Sequence, residues 1–303
     1  MSRVDSVSAI APARLDAQAL AAGVFTVTLW GSAFVGIRAA GTAFSPGSLA
    51  LARLLVASAI LGALALRRRD PIPAAPDLVK IAVYGVLWLA VYSTALNAAE
   101  RIVDAGTAAL LVNTGPVVIA ILAGFFLHEG FPPRLFAGCA IAFAGCALIG
   151  LATAQTRSGA WVGIVLLAVA VLAYSTAIVV QKPVLARVPS LQVTWIGVLA
   201  ATIASLPFAP SLVVEIPKAS AGAIVWTIYL GAFPTAVGFV TWGFALGRTR
   251  AGQLGTLTYL APVVAVLLGW LMLGETPPVL ALVGGALALA GVYWARRSRT
   301  VRS

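Results

Sequence analysis

The sequence predicts an all-α membrane protein with ten transmembrane helices, arranged as two inverted repeats of five helices with both termini in the cytoplasm. Three observations lead to this fold class. The 303 residues are 61% hydrophobic and only 10% charged, which is far from the composition of soluble domains. Ten stretches are predominantly apolar over about 20 residues, the length that crosses a bilayer. Finally, the second half of the chain repeats landmarks of the first half at a constant spacing.

The ten predicted spans leave so little sequence between them that a soluble catalytic domain has no room. Their approximate ranges are 18–38, 47–66, 78–97, 104–127, 135–153, 160–181, 190–208, 220–242, 252–273 and 278–295. The polar leader before residue 18 lacks the pattern of a cleavable signal peptide. We therefore expect a cytoplasmic tail at 1–17, a first repeat at 18–153, a second repeat at 154–295 and a basic cytoplasmic tail at 296–303.

Basic residues predict the orientation in the membrane. The net charge is +11, and with a cytoplasmic amino terminus fifteen of the 20 Lys and Arg residues fall on the cytoplasmic side. Four fall outside, namely Arg38, Arg101, Arg157 and Lys218, and Arg53 lies within a span. This asymmetry follows the positive-inside rule. It also explains the charge without nucleic acid, because no basic stripe with interleaved aromatic residues is present.

A shift of 146 positions (262 minus 116) places landmark residues of the first half on identical residues of the second half. The pairs are Pro116 and Pro262, Glu129 and Glu275, Pro132 and Pro278, Gly138 and Gly284, and Gly145 and Gly291. No gap is needed, so the chain is a duplicated unit. Because five spans separate a position from its copy, the second half enters the membrane from the opposite side. Inverted repeats of this kind are typical of transporters.

Proline interrupts the fourth and ninth spans at equivalent positions, Pro116 and Pro262. Proline lacks a backbone N–H and clashes with the carbonyl group four residues earlier, so acceptors near 112 and 258 lose their usual partners. Irregular backbone at membrane depth is tolerated where it is buried in protein or lines a wet cavity. We therefore predict that both prolines are gates or hinges beside a central site. The alternative is a kink that only helps the helices to pack.

Aromatic and polar side chains near these breaks are the candidate substrate-binding residues. Trp88 and Tyr92 share a helical face four residues apart, and both cavity lining and helix packing are open for them. Trp195 and Trp242 can instead be residues of the membrane interface. The complete predicted wall is Trp30, Trp88, Tyr92, Asn113, Tyr174, Trp195, Trp242 and Tyr259.

Arg53 has no basic counterpart in the second half. A charge within a span is costly unless it reaches the interface or pairs. Two interpretations are open: Arg53 reaches the outer interface or caps neighbouring carbonyl groups, or it attracts an anionic group such as a carboxylate. All nine acidic residues lie in tails, loops or span ends on this topology. We therefore expect transport without a buried proton-coupling carboxylate.

Several segments of the sequence resemble the repeats of a known protein family. The segment Trp30-Gly31-Ser32-Ala33-Phe34, and the stretch from Pro116 to Glu129 with its copy from Pro262 to Glu275, resemble the two EamA repeats of the drug/metabolite transporter superfamily. The resemblance covers nearly the whole chain. It implies that spans one to four and six to nine surround a central cavity, with spans five and ten at the periphery. Within that superfamily, length and aromatic content most resemble the bacterial aromatic amino-acid exporters of the YddG group.

The expected function is export of small metabolites across the bacterial inner membrane by alternating access, with aromatic and other large neutral amino acids as substrates. Export of other metabolites or drugs and a passive channel are the alternatives. An enzyme is not expected, because no paired acids, histidine cluster or Ser/His dyad lies at one depth, so no catalytic residue is assigned. We expect no cofactor and no metal. The expected partners are a small-molecule substrate and the lipid bilayer, and the expected carrier is a monomer.

Overall fold

The computed structural model describes residues 17–126, 159–248, 257–275 and 277–296, together with residue 254 and isolated positions between 137 and 151. Within those ranges all regular structure is helical, without a β-strand. We number the helices in chain order: α1 Ala17–Ala40, α2 Pro46–Arg68, α3 Ala75–Ala99, α4 Ala105–Phe126, α5 Ala160–Gln181, α6 Ser190–Lys218, α7 Ala221–Arg248, α8 Leu260–Leu273 and α9 Val279–Arg296.

Seven of these helices, α1 to α7, are long and apolar enough to cross a membrane. Two further apolar helices, α8 and α9, occupy the predicted ninth and tenth spans. The predicted fifth span, 135–153, lies largely outside the described residues. The all-helical fold class is therefore confirmed, and the total of ten membrane-spanning helices stays a prediction.

Local sequence signals mark the starts of several helices. Asp104 caps α4, because its Oδ1 atom accepts a hydrogen bond from the backbone N–H of Thr107 at 2.7 Å. Ser220 caps α7 in the same way, and both caps supply partners for N–H groups that a helix start leaves free. Helix α2 begins at Pro46, where the missing N–H of proline costs no helical hydrogen bond.

Three of the described helices contain a wider, π-helical segment: Gly85–Tyr92 in α3, Gly231–Val237 in α7 and Gly269–Leu273 in α8. At the start of the first segment α3 lies against α6, where a Cβ atom on Gly85 would overlap the main-chain oxygen of Gly197. Small residues allow this close approach of helix backbones in membranes. Insertions of this type occur frequently at functional sites, and the segment in α3 carries two residues of the cavity described below.

The two halves of the chain interlock rather than stand side by side. Helix α1 lies against α7 and α8, and helix α2 lies against α6 and α7. Helix α3 packs on α5 and α6, and α4 packs on α5. The buried core therefore lies between helices of the first half and helices of the second half, and any space in it is lined from both.

Side-chain contacts near the helix ends group these ends into two sets. At one end Ser45 donates its backbone N–H to Glu215 Oε2 at 2.9 Å, and Arg38 pairs with Glu275 at 2.7 Å. At the other end Arg187 pairs with Asp77 at 2.6 Å. Each set contains only residues that the sequence places on one side of the membrane. Which end faces the cytoplasm stays a prediction from the charge distribution.

Candidate functional site

A central cavity of about 80 Å³ lies between the two halves of the chain. Most of its wall is apolar or aromatic, and the polar exceptions come from α2, α3, the break in α4 and the turn before α8. The lining residues are Trp30, Ala33, Phe34, Ile37, Arg53, Trp88, Tyr92, Ser93, Leu96, Val112, Asn113, Tyr174, Phe239, Thr258 and Ala261. Ligand pockets commonly measure about 300–1,000 Å³, so this conformation has little room and the cavity must widen to admit a substrate.

A cluster of aromatic rings joins the two halves across this cavity. Trp30 lies at its centre, with ring centroids 5.7 Å from Trp88, 5.3 Å from Phe239 and 4.9 Å from Trp242. Trp88 continues the cluster to Tyr174 at 5.9 Å. These separations lie in the range of about 4.5–7 Å that aromatic pairs favour. The indole N–H of Trp30 is also satisfied, because it donates to the main-chain oxygen of Pro234 at 3.1 Å, leaving the ring faces for contacts.

The structure brings five of the eight predicted wall residues to the cavity: Trp30, Trp88, Tyr92, Asn113 and Tyr174. Trp242 packs behind Trp30 and is only 4% exposed, so it supports the wall without lining it. Trp195 is half-buried on α6 and faces α2 close to Gly62, away from the cavity. Tyr259 lies in the turn that precedes α8, next to the lining residue Thr258, and its side chain is outside the described part of the chain.

Sequence reasoning missed two aromatic lining residues, Phe34 and Phe239. Phe34 follows Trp30 by four positions and Phe239 precedes Trp242 by three, so each shares a helical face with a predicted residue. That spacing is the signal that could have found them.

Both predicted hinge prolines are buried, and the first one has a visible consequence at the cavity. The hydroxyl of Tyr174 donates to the main-chain oxygen of Val112 at 3.0 Å, four residues before Pro116, so the side chain replaces the N–H that proline lacks. Helix α4 is interrupted here, with a turn at Asn113 between Ala105–Val112 and Gly115–Phe126. A Cβ atom at position 115 would overlap the Tyr174 hydroxyl, so glycine makes room for this bond.

In helix α7 a side-chain hydroxyl likewise replaces the N–H that a proline, Pro234, lacks. This proline lies inside the π-helical segment, and the carbonyl oxygen four residues earlier, on Leu230, accepts a hydrogen bond from Thr235 Oγ1 at 2.7 Å. The same hydroxyl oxygen accepts two hydrogen bonds from Arg53, from Nε at 3.0 Å and from Nη2 at 2.8 Å. A proline break in the second half therefore positions a buried cation of the first half.

Arg53 is only 6% exposed and lines the central cavity. Its side-chain hydrogen bonds go to the Thr235 hydroxyl rather than to carbonyl groups, so it does not cap neighbouring carbonyl groups among the described residues. Among the residues that the structure describes, no carboxylate forms an ion pair with it. Such a buried, hydrogen-bonded cation provides an attractive environment for an anionic group.

Asn113 supplies a hydrogen-bond acceptor to the same cavity that Arg53 lines. It lies at the break in α4, it is 6% exposed, and its Oδ1 atom has no hydrogen-bond partner in the part of the chain that the structure describes. A buried acceptor left unpaired costs free energy that a donor on a ligand would recover. The described part of the cavity wall thus combines apolar and aromatic side chains with the cation Arg53 and the unpaired acceptor Asn113 Oδ1.

Glu100 is more buried than its place at a span end would suggest. Among the residues that the structure describes, no acidic side chain lines the central cavity, and Glu100 follows directly on α3, at a span end as the sequence predicts. The turn that carries it is nevertheless covered by other helices, and Glu100 is only 1% exposed. The sequence misses this burial because a carboxylate at a span end is normally solvated. The expectation of transport without a buried proton-coupling carboxylate concerns the mechanism and stays a prediction.

Similar proteins identify the family to which this chain belongs. Two segments of the chain, residues 18–151 and 161–297, match the EamA-like transporter family. A probable terminal-alkyne amino-acid exporter of Streptantibioticus cattleyicolor is 40% identical over 282 residues, which are 90% of this chain and 92% of that protein. The uncharacterized transporter YdfC of Bacillus subtilis is 31% identical over 88% of this chain and 87% of its own length. A crystal structure that is 23% identical superimposes with a TM-score of 0.65 over 91% of this chain and 96% of that one, which shows a shared fold. With both halves matched and the helices long enough to span a bilayer, this chain belongs to the EamA-like transporter family and is a multi-pass membrane transporter rather than an enzyme.

Proposed function

We propose that the protein exports small metabolites across the bacterial inner membrane, with aromatic and other large neutral amino acids as its substrates. In this proposal ten helices form two inverted repeats, residues 18–153 and 154–295, and both termini are cytoplasmic. The two halves open the central cavity alternately to either side of the membrane, as inverted-repeat carriers do. Pro116 and Pro262 serve as the hinges.

One observation supports this substrate class above others: the aromatic cavity contains a buried cation, Arg53, and an unpartnered acceptor, Asn113 Oδ1. A guanidinium group binds a carboxylate through charge-assisted hydrogen bonds, and a carbonyl oxygen accepts from an ammonium group. A free amino acid carries both groups on one carbon atom. Its side chain is then left to contact the rings.

The rings favour flat side chains over charged ones. An aromatic pair gains about 0.5–1.5 kcal/mol beyond the burial of its area, and the neighbouring rings of Trp30, Trp88 and Tyr174 offer such faces. A large aliphatic side chain gains from area burial alone. The side-chain charge of aspartate or lysine would enter an apolar wall without a counter-ion, which is costly.

The relative in Streptantibioticus cattleyicolor is named a probable exporter of an amino acid with a terminal alkyne. An alkyne is a slender apolar group, so that name agrees with an amino-acid backbone site beside an apolar side-chain site. The alternatives are export of other metabolites or drugs by the same cavity, and a passive channel. Saturable exchange of substrate distinguishes a carrier from a channel.

The test is counterflow in proteoliposomes loaded with phenylalanine, with external labelled phenylalanine, aspartate, lysine or a cationic dye. We expect saturable uptake of phenylalanine and little uptake of the others. Replacing Arg53 by Met removes a charged hydrogen-bond donor worth about 1.5–3 kcal/mol, so phenylalanine exchange should fall by roughly ten- to a hundredfold. Arg67→Met, at an exposed position near the end of the same helix, is the control and should leave exchange unchanged. Preferred uptake of lysine or of the dye would contradict the proposed substrate class.

A further inference from the structure

A second cavity, of about 460 Å³, lies at one end of the central cavity. Ile37 lines both cavities, so the two spaces follow each other along α1 and α3. We call the second cavity the vestibule. Its polar wall consists of Arg38, Thr42, Asn97, Glu100, Arg101 and Glu275. Because it lies at the end where the connection after α3 meets the end of α8, the vestibule is on the predicted outer side of the membrane.

The carboxylate of Glu100 is the unusual group in this wall. It is 1% exposed, and neither of its oxygen atoms has a hydrogen-bond partner among the described residues. The nearby guanidinium group of Arg38 is directed elsewhere. Its Nε donates to Glu275 Oε1 at 2.7 Å, and its Nη1 donates to the main-chain oxygen of Glu100 rather than to the carboxylate.

The unpartnered atoms around Glu100 are acceptors. They are Asn97 Oδ1 and Glu275 Oε2, in addition to the two oxygens of Glu100 itself. Asn97 cannot offer its amide group instead, because Nδ2 already donates to the main-chain oxygen of Pro46 at 3.0 Å. Buried acceptors normally have a hydrogen-bond donor. A proton bound to one of these oxygen atoms would supply such a donor to the group.

The charges that face Glu100 come from four helices or their ends. Arg38 of α1 and Arg53 of α2 favour the ionised carboxylate, whereas Glu275 after α8 and Asp104 before α4 oppose it. Arg38 is shared with Glu275, and Asp104 is occupied as the cap of α4. Burial is the largest influence and raises the pKa of Glu100 well above its usual range, because an ionised carboxylate without hydrogen bonds is expensive inside a protein.

We propose that Glu100 is a proton-binding site that links protonation to the opening of the vestibule. It holds a proton while Arg38 bridges α1 to Glu275 at the end of α8. When α8 separates from α1, Arg38 loses Glu275 and turns to Glu100, whose carboxylic acid then ionises and releases one proton to the water in the vestibule. Closing reverses both steps, so one proton is bound for each return. The proposal rests on the proposed function only for the assumption that α1 and α8 separate during transport.

Infrared spectroscopy of the purified full-length protein tests the proton site without a substrate. The wild-type protein should show the carbonyl band of a protonated carboxylic acid at neutral pH, and Glu100→Gln should lose it. Glu215→Gln is the matched control, because Glu215 lies at the same end but is already hydrogen-bonded to Ser45, so the band should remain. A wild-type protein without this band, or a Glu100→Gln variant that keeps it, would overturn the proposal.

Glu275→Gln provides a second test at a position that leaves Glu100 in place. This change removes a negative neighbour and weakens the hold of Glu275 on Arg38, so Arg38 is freer to pair with Glu100. The band of Glu100 should then titrate at lower pH than in the wild type. An unchanged titration would show that Arg38 and Glu275 do not control the proton on Glu100.

Transport measurements test the link to opening. With phenylalanine counterflow and a pH-sensitive dye inside the vesicles, wild-type protein and Glu215→Gln should respond to an imposed pH gradient, whereas Glu100→Gln should exchange phenylalanine independently of the gradient. A gradient response that survives in Glu100→Gln would refute the link. If the wild type carries no phenylalanine, the proposed substrate is wrong, and the infrared experiment still decides the role of Glu100.

Discussion

Replacing Tyr174 by Phe isolates one hydrogen bond that the proline break makes necessary. The hydroxyl of Tyr174 is the donor to the main-chain oxygen of Val112, whose helical partner would be the N–H that Pro116 lacks. Removing it leaves a buried acceptor unsatisfied, which costs about 1–3 kcal/mol. The ring remains, so its contacts with Trp88 and Tyr92 at 5.9 and 5.6 Å should persist. We expect the free energy of unfolding to fall by that amount.

A double-mutant cycle with Pro116→Ala tests whether the Tyr174 hydroxyl stabilises the protein by replacing the N–H that Pro116 lacks. Alanine restores an N–H four residues after Val112, so the carbonyl group can regain a main-chain donor. In that background Tyr174→Phe should cost less, with a coupling free energy of about 1 kcal/mol, compared with about 0.3–0.5 kcal/mol of scatter for independent sites. Reversible unfolding of the four proteins in a denaturing detergent measures all of the terms.

Tyr92→Phe is the control for this cycle. Tyr92 lines the same cavity, but its hydroxyl forms no hydrogen bond to any residue that the structure describes, so its loss should hardly change the free energy of unfolding. If Tyr174→Phe costs the same, within the scatter, in the wild-type protein and in the Pro116→Ala variant, the hydroxyl does not substitute for the missing N–H and the reasoning is refuted.

The remaining predictions concern the hinges and the topology. Pro116→Ala and Pro262→Ala should each slow phenylalanine counterflow by roughly ten- to a hundredfold, as small displacements of a binding site do, while membrane insertion and folding persist; wild-type rates in both variants would assign the prolines to packing alone. A reporter fused after Arg297 should be active in the cytoplasm, because basic residues accumulate on that side, and a periplasmic signal would contradict both the count of ten spans and the inverted relation of the repeats.

The sequence alone determined the class of this protein and the places of the helices that the structure describes. Composition and the length of apolar runs are sufficient for that, because a helix must satisfy its own backbone in a bilayer wherever it lies. The repeat at 146 positions also brought out Pro116 and Pro262 as equivalent breaks. That the Val112 carbonyl group lacks its main-chain donor followed from the chemistry of proline, which acts within four residues along the chain.

The orientation of each helix was decided only by the tertiary structure. A helix in a membrane is apolar on the side that faces lipid and on the side that faces protein, so its sequence carries little record of which side is which. For that reason the sequence does not distinguish Trp30 from Trp195. In the structure Trp30 lines the central cavity, whereas Trp195 lies beside α2.

Long-range partners were equally inaccessible to local reasoning. Thr235 holds Arg53 across 182 positions of sequence, and the burial of Glu100 depends on helices from elsewhere in the chain. The residue types and their spacing showed that a polar group was present, but whether it meets water, a partner or nothing depends on which distant segments fold against it. For this reason the surroundings of Arg53 and Glu100 became known only from the folded chain.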